Sequence, residues 1–265
     1  MNCIHTGYDD RPLGRTRAFL AALLAAALYL SGCGAGEETA AVRQPPPPDG
    51  REESVTLGGE SYPLDAGELC FGTDDPEELA QALVQLPRFT ELEFLVVSCR
   101  TGEGLEETDL SPLAQLPKLR CLTLDGRFPS LEALASCPAL EDLHLWASKS
   151  QPLPVLPTVR RLYLAQSLGV DWSGVEAQPQ LEYLYFSEVD TLPDFDRLAG
   201  HPTLKTIFIC IDPEVSTAHD LSGWERTTVL DDPEDPMPEW LPLPQEAMRR
   251  FLSGEGRSIT LYFDP

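Results

Sequence analysis

Nucleophilic or acid–base chemistry in this chain would have to use a few histidines and cysteines. The sequence of 265 residues contains 4 His and 7 Cys. His144 and His201 could each act as a base beside a cysteine, but neither lies in a motif that positions such a pair. His144 instead falls in the alternating segment Leu143-His-Leu145, which is typical of a strand. The sequence therefore predicts no enzyme and no catalytic residue.

The cysteines do not form a metal-binding pattern. They include no Cys-x-x-Cys pair and no Cys/His cluster, so neither a metal nor a cofactor is expected. An odd number of cysteines lies beyond the N-terminal region, so a disulfide between two of them stays open. Cys137 occupies the place that Leu86 and Leu116 hold in similar segments, which predicts a small core residue. The five cysteines that lie beyond the N-terminal region are Cys70, Cys99, Cys121, Cys137 and Cys210.

The acidic run Asp231-Asp-Pro-Glu-Asp235 is the other candidate set of metal ligands. It lacks the alternating oxygen ligands and the glycine of a calcium-binding loop. We interpret it as a solvated acidic loop and expect no metal ligands in the chain.

The N-terminus indicates secretion and covalent lipid attachment. Three arginines among the first 17 residues precede an apolar run over 18–30, shorter than the ~20 residues of a membrane-spanning helix. The run ends in Leu30-Ser-Gly-Cys33, which resembles the lipobox of bacterial lipoproteins. The resemblance implies a signal peptide over 1–32, diacylglycerol on the Cys33 thiol, and a lipid anchor on the extracytoplasmic face of the bacterial cell membrane. An ordinary signal peptide with an incidental Cys33 is the alternative.

The lipidated cysteine and a tether make up residues 33–53. Pro45 to Pro48 favour an extended polyproline II spacer. The globular part of the chain is expected to start after it.

An internal repeat fills residues 76–211. Apolar residues recur as apolar-x-x-apolar-x-apolar, and a proline stands two positions before each copy. The copies begin 30, 21, 19, 22 and 23 residues apart, and the long first interval predicts a projecting loop over 100–108. The six copies start at Phe89, Leu119, Leu140, Val159, Leu181 and Leu204.

This pattern resembles the leucine-rich repeats of bacterial, internalin-like proteins. The segment from Leu110 to Leu119, LSPLAQLPKL, carries the likeness most clearly. The resemblance implies an α/β fold, a leucine-rich-repeat solenoid (horseshoe) with a parallel concave sheet, in which stacked coils complete one core. The asparagine that follows the strand in that family is missing from every repeat.

Both ends of such a solenoid need caps. Residues 54–75 are expected to form an N-terminal cap with a hairpin around a Gly-Gly turn, and Asp75-Pro76 predicts the start of a helix. Residues 212–265 are expected to form a loop-rich C-terminal cap. Within this cap we expect a short helix over 245–252 and a last strand over 258–263 that closes the edge of the sheet.

The residues between the buried positions of each strand should face outward on the concave side. They are acidic in the first copies, with Glu93 between Glu91 and Leu95, and aromatic from the third copy onward. The aromatic residues are interpreted either as anchors for a partner or as a ladder of rings that stack across strands. The predicted partner-binding residues are His144, Trp146, Tyr163, Tyr183, Tyr185 and Phe208.

The charge balance narrows the class of partner. With 43 acidic and 19 basic residues the net charge is −24, which excludes a nucleic-acid partner because phosphates would be repelled. The sequence predicts a cell-surface lipoprotein that binds a protein or peptide through its concave face. The alternative is a binder of cell-wall carbohydrate, since exposed tyrosine and tryptophan also stack on sugars.

Overall fold

The computed structural model describes residues 54–57, 59–99, 105, 108–148, 151–211 and 224–263. The expected signal peptide, Cys33, the tether and most of the expected loop over 100–108 lie outside these residues. The described strands are β1 (Ser54–Leu57), β2 (Glu60–Pro63), β3 (Glu68–Gly72), β4 (Phe94–Cys99), β5 (Cys121–Gly126), β6 (Asp142–Trp146), β7 (Arg161–Ala165), β8 (Tyr183–Ser187), β9 (Thr206–Ile211), β10 (Thr227–Leu230) and β11 (Ser258–Phe263). The described α-helices are α1 (Pro76–Gln85), α2 (Trp172–Glu176), α3 (Phe195–Ala199) and α4 (Gln245–Leu252), and 3-10 helices cover Leu86–Arg88, Ser111–Gln115 and Glu132–Ser136.

Nine of the strands form one mixed sheet, in the order β10-β11-β9-β8-β7-β6-β5-β4-β3. From β3 to β9, strands that follow each other in the chain are neighbours in the sheet and run parallel. β11 pairs with β9 in parallel, and β10 pairs with β11 antiparallel. This order of parallel strands is compatible with the open solenoid that the repeat predicts.

The core lies on one face of this sheet, where the apolar positions of the repeat meet the returning segments. Leu143 has no exposed area, which confirms that its side chain is buried. The 3-10 helices add Leu113 and Leu134 from the returning chain, each exposed by at most 1%. Cys137 is 2% exposed and is a core residue, as predicted. Each coil therefore covers the apolar residues of its neighbours.

The predicted alignment of the first repeat is wrong by three residues. Leu95 pairs with Leu122 of the next strand, and Val97 pairs with Leu124, so the first copy starts at Leu92 rather than at Phe89. Leu95 was expected to face outward, yet it is fully buried. The error arises because apolar residues stand at both alignments.

The N-terminal edge of the sheet is covered by a hairpin. β1 and β2 pair antiparallel, and the Tyr62 hydroxyl donates to the Cys70 carbonyl of edge strand β3 at 2.6 Å. α1 then begins at an Asp75 N-cap, whose carboxylate accepts the Glu77 N–H at 2.9 Å. This bond occupies one carbonyl of the edge strand, which hinders pairing with another chain there.

The C-terminal end has one more strand than the sequence predicts. α4 and β11 lie where a helix and a strand were expected. β10, however, pairs with the outer side of β11, so β11 does not close the sheet as predicted. The pattern of β10, Thr-Thr-Val-Leu, is only four residues long and lies in a segment rich in Pro and Asp.

Consecutive coils leave the sheet through the same left-handed turn. Ala147, Gln166 and Glu188 follow β6, β7 and β8 and have φ angles of 51°, 51° and 46°. The Ala147 N–H donates to the Ala165 carbonyl at 3.0 Å, and the Gln166 N–H donates to the Ser187 carbonyl at 3.2 Å. Hydrogen bonds between adjacent coils thus hold a conformation that is uncommon for residues other than glycine.

Candidate partner-binding face

The face of the nine-stranded sheet opposite the core, called the open face below, carries all six predicted partner-binding residues. They occupy the alternate positions of β6 to β9, between the buried leucines and isoleucines. In the central column, His144 pairs with Tyr163, Tyr163 with Tyr185, and Tyr185 with Phe208. The parallel register brings side chains from four coils into one row.

The rings of this row stack on one another, and the row, called the ring ladder, comprises His144, Tyr163, Tyr185, Phe208 and Tyr262. The His144 and Tyr163 rings lie 4.0 Å apart between centroids and are 18° from parallel. The next centroids are 5.8 Å, 5.3 Å and 6.3 Å apart, with tilts of 31° to 34°. The expected stacking of rings across strands is therefore present.

The ring ladder is not uniformly exposed. His144 is 8% and Tyr163 is 9% exposed, so these two side chains are buried rather than exposed as anchors, which corrects the sequence interpretation. Stacking covers their ring faces, and Tyr183 tilts against Tyr163 at 5.4 Å. Trp146, Tyr183, Tyr185 and Phe208 remain partly exposed.

An ion pair borders the ring ladder on the side where the strands begin. The Arg161 guanidinium binds both carboxylate oxygens of Asp142, with Nη2 2.6 Å from Oδ2. Burial and the nearby Arg161 charge together lower the pKa of His144 to about 4. The imidazole is therefore neutral near pH 7 and stacks as an uncharged ring.

Burial is also the main cause of the raised pKa values of two tyrosine hydroxyls and one cysteine thiol near His144. It raises the pKa of Tyr163 and of Tyr185 to about 12. It raises the pKa of the Cys121 thiol to about 12, with a further contribution from the Asp142 charge. A thiol with such a pKa is not an activated nucleophile.

Acidic side chains border the other side of the ring ladder, where the strands end. Asp125 pairs with Trp146 in the sheet register and accepts a hydrogen bond from Ser98 Oγ at 3.0 Å. Glu188 directly follows β8, is exposed, and lies 3.3 Å from the Gln166 amide nitrogen. The open face thus has a neutralised ion pair on one side and net negative charge on the other.

Sequence reasoning missed the last ring of the ladder. Tyr262 of β11 faces Phe208, and the Arg226 guanidinium lies 5.1 Å from the Tyr262 ring centroid. β11 was expected as a strand, but its parallel pairing with β9 across an interval of about fifty residues was not. The alternation in Ser258–Phe263 is the signal that could have placed Tyr262 at an outward position.

The predicted acidic end of the central column is also corrected. The shift in the first repeat puts Val96 opposite Thr123, so Glu93 lies before the strand and Glu91 lies outside it. Val96 is 2% exposed. The N-terminal part of the open face is therefore more apolar than the sequence alignment suggested.

His201 has a structural role in the described coils. Its Nδ1 accepts the Thr203 and Leu204 N–H groups at 3.3 Å and 3.1 Å, so Nε2 donates to the Gln178 carbonyl at 3.0 Å. Burial lowers its pKa. The imidazole closes a buried turn between two coils.

The described residues contain no group of three or more His, Cys, Asp or Glu side chains that could hold a metal ion. In the acidic loop, Asp235 accepts the Asp231 and Asp232 N–H groups at 2.9 Å and 3.0 Å. Its carboxylate thus stabilises its own turn. In the same part of the chain, every helix is too short or too polar to span a membrane.

Comparison with known proteins gives a structural likeness and no sequence relative. No protein-family model and no curated protein matches the chain. Among solved structures, the chain is similar to an internalin from Listeria monocytogenes, with 21% identity and a TM-score of 0.40. The match covers 54% of this chain and 40% of the internalin chain, so it spans less than half of that protein's length.

Proposed function

We propose that this protein is a bacterial cell-surface lipoprotein whose leucine-rich-repeat solenoid binds a protein or peptide partner through its concave face. The observation that carries the proposal is the ring ladder, a row of stacked aromatic side chains on an open face. Partly exposed aromatic residues backed by a rigid core are the side chains that dominate binding energy at interfaces. The proposed role is binding, and it requires no catalytic residue, metal or cofactor.

The geometry favours a protein over a carbohydrate. A sugar ring packs on an aromatic face that is open to solvent. In the ring ladder, neighbouring rings 5.3–5.8 Å apart cover much of each other's faces. The ring edges, the tyrosine hydroxyl groups and the Trp146 indole remain to contact a partner. These groups suit an irregular peptide surface better than the flat face of a sugar ring.

The experiment replaces partly exposed aromatic residues of the open face while sparing buried ones. A Trp146→Ala, Tyr185→Ala, Phe208→Ala variant should fold, because these side chains cover no core, and should lose capture of the partner from a surface extract. The matched control changes Val84, Val155 and Leu192 to Ala, which are 66%, 54% and 43% exposed outside the sheet. Equal capture by both variants would contradict the proposal.

The anchor is tested separately at Cys33. Cys33→Ser should abolish lipid attachment, because only the thiol accepts diacylglycerol, and the protein should leave the detergent phase or accumulate as precursor. The matched control is Cys70→Ser, which should keep its lipid. Intact mass and phase partitioning are the measurements, and a mass that changes in Cys33→Ser only by the replacement of sulfur with oxygen would rule out the lipoprotein assignment.

A further inference from the structure

We propose that the open face binds a basic, proline-rich segment of its protein partner in the polyproline II conformation. The proposal rests on the proposed function and names the chemistry of the partner. It follows from three properties of the open face: the spacing of the strands beneath its rings, the unpaired indole N–H of Trp146 and its charge.

The spacing of the strands beneath the ring ladder is close to the repeat of a polyproline II helix. Tyr163 and Tyr185 are 5.8 Å apart between centroids, and Tyr185 and Phe208 are 5.3 Å apart. Every second strand of a sheet is separated by ~9.6 Å, and one three-residue turn of polyproline II rises ~9.3 Å. Prolines at every third position of a segment that crosses the strands would therefore meet the exposed edge of every second ring.

One hydrogen-bond donor stands beside this row without a partner. Among the described residues, no acceptor takes the indole N–H of Trp146, whose side chain is partly exposed. A polyproline II segment has no internal hydrogen bonds and leaves its carbonyl oxygens available. Aromatic grooves with such donors are the usual receptors for this conformation.

Charge complementarity specifies that the segment is basic. The protein carries a net charge of −24. Near the ladder, Glu188 and Asp190 are exposed just after the end of β8, the strand that carries Tyr185. Arg161, which borders the ladder where the strands begin, is neutralised by Asp142. Long-range attraction and local carboxylates therefore both favour a cationic ligand.

The protein itself provides an example of a guanidinium on this row. Arg226 lies 5.1 Å from the centroid of Tyr262, within the range of a cation–π contact. Tyr262 is the last ring of the ladder, so its outer face is not covered by another ring of the ladder. At the partly exposed Tyr185 and Phe208, an arginine of the bound segment would lay its apolar stem along the ring edges and direct its guanidinium to the exposed Glu188.

The test uses three labelled twelve-residue peptides with the full folded protein. The first consists of Arg-Pro-Pro repeats, the second of Arg-Gly-Ser repeats with the same charge, and the third of Glu-Pro-Pro repeats with the same backbone preference. Fluorescence anisotropy at about 150 mM salt limits long-range attraction. We expect the Arg-Pro-Pro peptide to bind about tenfold more tightly than the Arg-Gly-Ser peptide, and the Glu-Pro-Pro peptide not to bind. Equal affinity for the two arginine peptides would overturn the proposal, because charge alone would then explain binding.

Paired variants locate the site. Tyr185→Ala with Phe208→Ala should weaken Arg-Pro-Pro binding about tenfold or more, while Val155→Ala with Leu192→Ala should leave it unchanged. Glu188→Gln should weaken binding and reduce its salt dependence, whereas Glu246→Gln on α4 should not. If the double alanine variant unfolds, Tyr185→Leu with Phe208→Leu keeps apolar volume and tests the rings. Unchanged binding in a folded ladder variant would overturn the proposal.

The outcomes distinguish this proposal from the proposed function. If ladder variants lose capture of the natural partner but no Arg-Pro-Pro peptide binds, the polyproline II proposal is wrong and the binding face stands. If neither partner capture nor peptide binding depends on the ladder, both are wrong.

Discussion

Leu143 illustrates how much stability one residue contributes to the stacked core. Its side chain has no exposed area and lies between the strands of two neighbouring coils. Leu143→Ala should lower the free energy of unfolding by about 2–5 kcal/mol, because it removes buried methyl groups and leaves a cavity. The measurement is chemical denaturation at equilibrium.

The matched control for Leu143 is Leu192→Ala, since Leu192 is 43% exposed. That change should cost less than about 0.5 kcal/mol. A similar small effect at both positions would mean that the inward face of β6 has been misidentified.

His144 is the residue whose protonation should couple to folding. Its pKa falls from about 6.5 to about 4 in the folded protein. Above pH 6.5 the imidazole is neutral in both states and contributes nothing to pH dependence. Between pH 6.5 and about 4 only the unfolded chain binds the proton. The free energy of unfolding therefore decreases as the pH is lowered through this range, by roughly 3 kcal/mol in total.

The pH prediction is read as a difference between two proteins. His144→Phe keeps a stacking ring and removes the titration, so its stability relative to wild type should increase as the pH falls from 7 to 4. The carboxylates titrate in both proteins and largely cancel in the difference. Parallel pH profiles from urea denaturation would contradict the burial of a neutral His144.

Among the strands, the repeat could be predicted from the sequence because the residues at the repeated apolar positions are the ones that are buried. Leu122 and Leu143 stand at the predicted inward positions, and the outward positions of the aromatic residues follow from alternation alone. The first copy was misaligned, since Phe89 and Phe94 are apolar at the competing register. β10 and the Tyr262 rung depend on pairing between distant segments, which local periodicity does not encode.

Charges alternate along the edge of the sheet where the strands begin. The residue before each strand is acidic in one coil and basic in the next, and these residues are called the charge row. Arg120 Nη2 lies 2.8 Å from Glu141 Oε2, and Arg160 Nη2 lies 2.5 Å from Glu182 Oε1. The charge row consists of Glu93, Arg120, Glu141, Arg160, Glu182 and Lys205.

The charge row should act as a unit rather than as separate pairs. Arg120→Glu places a carboxylate between Glu93 and Glu141, so it should lower the melting temperature at low salt and less at high salt. Adding Glu141→Arg remakes the pair with reversed signs. It should not restore stability, because the new carboxylate still faces Glu93 and the new guanidinium faces Arg160.

The control for the charge row is Arg88→Glu, which reverses an exposed charge whose side chain donates a hydrogen bond to Gln85 and forms no ion pair with another described residue. The measurement is the melting temperature of the unchanged protein and of these three variants at two salt concentrations. Full recovery in the Arg120→Glu, Glu141→Arg double variant would show that the two residues act as an isolated pair.

For the molecule as a whole, the sheet ends differ in how they are closed. The N-terminal edge is covered by a hairpin that reaches β3 through one tyrosine hydroxyl. The C-terminal cap is fastened to the last repeat by arginines. Arg257 donates to the Ala199 and His201 carbonyls at 2.7 Å and 2.8 Å, and Arg250 pairs with Asp196 on α3. The cap therefore fixes the C-terminal end of α3, the helix that precedes β9.

Stacked repeats contact only their neighbours, so loss of the cap should spread inward from one end. Arg257→Met keeps the apolar stem but removes two charged hydrogen bonds, which should cost about 2–3 kcal/mol. Amide hydrogen exchange should accelerate in β9, β11 and α4 while β5 to β7 keep their protection. Arg88→Met, at an exposed arginine of the first coils, should change neither region. Uniform acceleration through all strands would instead mean that the described coils unfold as one cooperative unit, and that the C-terminal cap stabilises every coil equally.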